Sequence, residues 1–144
     1  MSERYKPYRD YQFFIPGKPV PQQRAKTIFR NGRVLGKYDP KQCVEYKQHV
    51  AAVAHKKWDE EPGIILAGPI LIAMTFNLPK PKTAKRKSPT VKPDVDNLYK
   101  GVADALEGIA YVHDQQIVFA MIEKRYAKDN DSVGVKVTIR ELPP

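Results

Sequence analysis

A single cysteine, Cys43, stands among the 144 residues. One thiol cannot close an intramolecular disulfide, so no covalent staple replaces a core. A lone reactive cysteine needs a histidine partner, and none is identifiable among the three histidines. Cys43 therefore reads as a small buried residue on a helix. No apolar run approaches the roughly 20 residues of a membrane span, and no leading apolar segment ends in a cleavage site. No helical pattern sets a basic face against Trp and Leu, which argues against a membrane surface as partner. Internal repeats are absent too. These absences lead us to expect one cytoplasmic domain, residues 1–144, with its own core and no membrane partner.

Acid is also in short supply. Lys and Arg total 25 against 16 Asp and Glu, a formal net charge of +9. Such a charge on a small domain draws in polyanions, and nucleic acid is the leading candidate partner.

Along the chain, the polar stretch 1–10 reads as a frayed terminus. Tyr11–Ile15 reads as a strand ended by Pro16-Gly17, and the proline-rich stretch that follows excludes a central strand. Arg24–Arg30 and Arg33–Tyr38 flank Asn31-Gly32, a pair suited to a two-residue hairpin turn. This hairpin carries Arg24, Lys26, Arg30, Arg33 and Lys37. They suit either a phosphate backbone or a solvated strand edge. Asp39-Pro40 opens a helix with Asp39 as cap and Pro40 in its first turn. Cys43, Val50 and Trp58 lie on its apolar stripe, and Trp58 reads as a core anchor. Ile70–Phe76 is a continuous apolar run and reads as a buried strand.

Then the composition changes. The stretch 79–93 holds Lys80, Lys82, Lys85, Arg86, Lys87 and Lys92, with Pro79, Pro81, Pro89 and Pro93. It can bury no face, so it reads as a basic loop. A second helix begins near Asp96, with Val95, Leu98, Val102, Leu106 and Ile109 on its stripe, Gly108 as its cap and Gly101 as a weak point. Gln116–Tyr126 and Ser132–Leu142 read as two strands joined as a hairpin, the last with Val133, Val135, Val137 and Ile139 inward. The expected fold class is α+β, with two helices packed on one mixed sheet.

The chemistry concentrates in Lys92-Pro93-Asp94-Val95-Asp96-Asn97-Leu98-Tyr99-Lys100. Two close aspartates at the end of a lysine-rich loop repel phosphate unless a cation lies between them. Mg²⁺ suits that place, because it takes carboxylate oxygens, water and substrate phosphate. If Asp94–Asp96 is extended, both carboxylates share one side while Val95 faces the core. Lys100 follows Asp96 by one turn on the same face, placed to stabilise developing charge. Asp104 continues that face or pairs with Lys100. Asp-x-Asp before a helix also serves as plain capping. Asp114, in the short link after the second helix, is a further candidate ligand, but by its residues alone it reads as an ordinary turn aspartate, and His113 reads as a surface residue.

The central string, together with Asp104-Ala105-Leu106-Glu107-Gly108 and Asp114-Gln115-Gln116-Ile117-Val118, resembles the RusA family of Holliday-junction resolvases. Ile15-Pro16-Gly17-Lys18-Pro19-Val20-Pro21 and Glu123-Lys124-Arg125-Tyr126 resemble its phage and prophage members. The resemblance implies a homodimeric, Mg²⁺-dependent endonuclease, with Mn²⁺ able to substitute, nicking four-way DNA junctions during recombination and repair in a bacterial or phage-infected cell. It implies Asp94, Asp96 and Asp114 as catalytic metal ligands and Lys100 as a catalytic lysine. One departure is local: many members carry two or three acidic residues where this chain has Val112-His113-Asp114. Lys18, Arg24, Lys26, Lys80, Lys82, Lys85, Arg86, Lys87 and Lys92 are the expected DNA contacts. Two competing readings remain at this level. Pro93-Asp94 with Glu123-Lys124-Arg125 is similar to a restriction-type nuclease pattern. Alternatively, the chain is a non-catalytic basic module for branched DNA.

Overall fold

A computed structural model describes residues 5–144, and its framework is a sheet with helices on one side only. The strands are β1 (Asp10–Pro16), β2 (Lys26–Arg30), β3 (Arg33–Tyr38), β4 (Ile70–Leu78), β5 (Ile117–Tyr126) and β6 (Gly134–Glu141). The helices are α1 (Lys41–Glu60) and α2 (Val95–Leu106). The main sheet has the order β1-β6-β4-β5, and β2-β3 forms a separate ribbon. The α+β expectation holds.

Alternation explains which side is covered. Tyr11 and Ile15 of β1, Val135, Val137 and Ile139 of β6, and Ile70, Ile72, Met74 and Phe76 of β4 all point one way and are buried. Val50, Ala54 and Trp58 of α1 and Leu98, Val102 and Leu106 of α2 meet them in one core. Each such large side chain contributes roughly 1.5–3 kcal/mol through burial. Trp58 anchors the core as expected, and its indole N–H donates to the Ile64 carbonyl at 2.9 Å. Cys43 is buried on α1. Among the described residues, the other face of the sheet carries no helix, and it exposes Phe14, Phe119 and Met121. Thus β4 is covered on one face and half-buried on the other, not buried on both as its apolar run suggests.

Four local expectations change. β5 and β6 are not a hairpin: β6 pairs antiparallel with β4 and β1, while β5 pairs parallel with β4. Apolar alternation marks an inward face without naming the neighbour, so two consecutive strands look like a hairpin either way. α1 starts one residue later, with Pro40 in the cap position. α2 ends at Leu106, and Ile109 packs on the core from the turn beyond it. Val95 is the first helical residue and is 40% exposed, so it does not face the core.

The terminal stretch is tied down where it is described. Tyr5 donates to Glu141, whose carboxylate raises the phenol's pKa to about 12. Asp10 accepts from Arg140 at 2.6 Å. Residues 1–4 of the expected frayed segment lie outside the described residues. The hairpin turn forms as expected, with Asn31 and Gly32 both at positive φ. Gly101 has a structural reason: a Cβ there would stand 3.2 Å from the Val20 carbonyl. Its absence lets residues 20–22 cross α2, where Gln22 N–H donates to the Asn97 carbonyl at 2.9 Å.

Candidate active site

Because β4 and β5 are parallel, the chain must return between them, and α2 makes that crossover. The basic loop and the head of α2 therefore lie at the carboxyl ends of β4 and β5. Open sheets of this kind commonly take ligands at such ends.

Asp94 occupies the cap position of α2 with extended backbone, φ −75° and ψ 149°, yet its side chain makes no capping hydrogen bond. Asp96 lies in the first turn, and both aspartates are exposed. Lys100, also exposed, follows one turn later on the same helix. Among the described residues, neither aspartate has a hydrogen bond or ion pair to a protein side chain. Plain capping is therefore not what Asp94 does. Asp104 does not pair with Lys100 but with Lys47 of α1, at 3.7 Å.

The positive charges gather unevenly. Lys18, Arg24, Lys80, Arg86 and Lys92 line an open cleft of about 1010 Å³ that also holds Asp94 and Asn97. Arg24 and Lys100 share a smaller neighbouring cavity with Asn97, Lys47 and Asp104. Lys26 lies on the ribbon, and Lys82, Lys85 and Lys87 project from the loop; these four line neither cavity. The loop is itself held. Arg86 donates to the Tyr126 hydroxyl at 2.8 Å, and Arg86 and Lys80 lie 5.9 and 5.6 Å from its ring centre.

Asp114 stands elsewhere. It opens a short 3-10 turn (Asp114–Gln116) that leads into the amino end of β5. The Gln116 side chain sets that turn, donating to the Leu66 and Gly68 carbonyls at 3.0 Å each. Asp114 is near enough to Tyr99 to add to the rise in phenol pKa that burial causes first. Nevertheless, α2 lies between Asp114 and Asp94, and its 12 residues span about 18 Å. Among the described residues, no three His, Cys, Asp or Glu side chains form a group that could hold one metal ion. His113 is exposed, with its ring 3.3 Å from Glu107.

A hard divalent cation of the Mg²⁺ type asks less than a three-residue cage. It commonly takes one or two carboxylates and fills the remaining positions with water and substrate phosphate. Asp94 and Asp96, free and exposed beside a basic cleft, fit that demand. The restriction-type alternative fits poorly. Glu123 is in register with Thr75 on the helix-free face and is tied to Arg125 at 3.0 Å. Lys124, one residue on, points to the helix side. Lys124, Tyr126 and Gln116 are the supporting residues that went unassigned in the sequence. For the two strand residues the signal was phase: Ile122, Lys124 and Tyr126 are half-buried in a strand whose Glu123 and Arg125 are exposed.

No helix among the described residues is long and apolar enough to cross a membrane. The chain is similar to the uncharacterized protein YqaN of Bacillus subtilis (strain 168), 36% identical over 143 residues that cover 91% of this chain and 96% of the relative. The profile of the endodeoxyribonuclease RusA family matches residues 16–140, a span that takes in the strap over α2, the basic loop, the Asp94–Lys100 string and Asp114. With that match over most of its length, the chain belongs to the RusA family of endodeoxyribonucleases, the metal-dependent Holliday-junction resolvases.

Proposed function

We propose that this chain is an Mg²⁺-dependent endonuclease, with Mn²⁺ as a substitute, that resolves four-way DNA junctions by paired nicks. Its setting is recombination and repair in the cytoplasm of a bacterial or phage-infected cell. The observation that carries the reading is Asp94: a carboxylate in a cap position, beside a basic cleft, that caps nothing. Asp94 and Asp96 hold the cation. When bound, it supplies an activated water and neutralises charge on the phosphate. Lys100 donates to a non-bridging oxygen as negative charge grows there. Lys18, Arg24, Lys80, Arg86 and Lys92 grip the phosphates flanking the scissile bond. Binding through such contacts falls steeply with salt. Lys26, Lys82, Lys85 and Lys87 extend the grip to the junction arms.

Paired nicks need two active sites, which a two-fold homodimer supplies. Asp114 is the third acidic residue of this reading. Since one chain holds it at the other end of α2, it joins Asp94 and Asp96 from the partner protomer. Mixing Asp94→Asn with Asp114→Asn, each inactive alone, then restores nicking of one strand, because one composite site is intact. No restoration overturns the sharing. The reading as a whole is tested on a mobile four-way junction with Mg²⁺ and with EDTA. Mg²⁺-dependent symmetric nicks are expected. Equal binding in both conditions without any nicking would identify a non-catalytic binding module instead.

A further inference from the structure

The carboxyl end of β5 holds a buried-side lysine with an unusual pair of partners. The Lys124 ammonium donates to the Val91 carbonyl at 2.6 Å and to the Pro93 carbonyl at 2.8 Å. Those two carbonyls belong to the last residues of the basic loop, and Pro93 immediately precedes Asp94. Lys124 itself is fixed by the sheet, where it lies in register with Phe76, a fully buried residue of the central strand. The rigid core is thus linked by one side chain to the backbone that aims Asp94.

The need for such a link is physical. The loop of residues 79–93 has no ladder hydrogen bonds of its own and few apolar anchors, since only Pro89 of it is buried. Asp94 has no side-chain partner to hold it either. A metal ligand at the end of a loosely held loop is placed imprecisely. Residues that orient a ligand, without touching the metal, commonly carry 10–100-fold of metal affinity. Lys124 spends two of its three donors on carbonyls, and no carboxylate is its ion-pair partner among the described residues. A surface strand lysine would point to water. This one points inward and satisfies two backbone acceptors of one loop.

We infer that Lys124 is a positioning residue for Asp94: it clamps Val91 and Pro93 and so sets the metal affinity of the site. The inference rests on the proposed metal site and deepens it. Tyr126, two residues on along the same side of β5, holds the earlier part of the loop through Arg86 and Lys80. One strand end therefore seats both halves of the loop.

The test uses Mn²⁺ binding to the full-length, DNA-free protein, followed by electron paramagnetic resonance, together with amide exchange of residues 91–96. Lys124→Met keeps the aliphatic stem and removes the donors. It is expected to weaken Mn²⁺ binding about tenfold and to speed exchange in that segment. Nicking at saturating metal returns toward the wild-type rate. Lys124→Arg, which retains paired donors, is expected to recover most of the affinity. Lys124→Met with wild-type Mn²⁺ affinity and unchanged exchange overturns the inference, as does a nicking defect that no metal concentration relieves. The metal reading fails separately and visibly: wild type would bind no Mn²⁺, or Asp94→Asn would bind it as well as wild type. In that case the exchange of residues 91–96 still reports whether Lys124 holds the loop.

Discussion

Two aspartates of this chain occupy the same kind of position and do opposite things. Asp129 heads a 3-10 turn (Asn130–Ser132) with extended backbone, and Asp94 heads α2 with extended backbone. Asp129 accepts from the Ser132 N–H at 2.9 Å, and the Ser132 hydroxyl lies between the Asp129 N–H and C=O at 3.2 and 3.0 Å. The Asp129 carboxylate is thus engaged by its own turn, within four residues. Asp94 leaves its carboxylate open to solvent beside a cluster of cations. The position in the helix is not what separates structure from chemistry. What separates them is whether the carboxylate is already satisfied by its own backbone.

The largest expected effect tests the open aspartate. Asp94→Asn removes the proposed metal ligand, and junction nicking should fall on the order of 1000-fold, with junction binding retained. The melting temperature should hold, because no capping bond is lost. Full activity in gel assays would refute the site. Lys100→Met comes next, with kcat lowered about 100-fold and Mn²⁺ affinity retained; an affinity loss equal to that of Asp94→Asn would instead make Lys100 part of the metal's surroundings. For the satisfied partner, Asp129→Ala should lower stability by about 1 kcal/mol in urea unfolding and leave nicking unchanged. A nicking defect there would erase the contrast between the two aspartates.

The smallest effect concerns Asp10, another engaged carboxylate. The hydrogen bond from Arg140 holds its pKa below the ordinary value. A lowered folded pKa means that the native state releases its proton more readily than the unfolded chain. The resulting stability is present above the unfolded value, near pH 4, and is lost as pH falls through the folded one. Asp10→Asn should therefore melt slightly below wild type at neutral pH, and the gap should close on acidification. Both side chains are more than a third exposed, so solvent screens the pair and keeps the effect small. A gap that widens in acid would reverse the sign.

Much of this was legible in the residues. Alternation in Val135, Val137 and Ile139, the 3.6-residue stripe of α1 and the Asn31-Gly32 turn are local signals, set by sterics and burial within a few residues. The concentration of Asp94, Asp96 and Lys100 was equally visible, because seven consecutive residues carry all three. Partner choice was not. β6 inserts between β1 and β4, whereas its pattern suits any neighbour. Lys124 had no role of its own in the sequence; its role follows from its strand lying beside Phe76, with the basic loop above it.

The sequence by itself determined the two helices, the inward faces of the strands, the basic loop and the acidic string after it, since each depends on nearest neighbours along the chain. Tertiary structure alone decided that β4 and β5 run parallel, and with that the rest follows. A parallel pair requires α2 as its return path. That return carries Asp94 and Asp114 to opposite ends of the helix, and it brings the end of β5 beneath the loop it clamps. These are distances between segments far apart in the chain, and they exist only once the sheet order does.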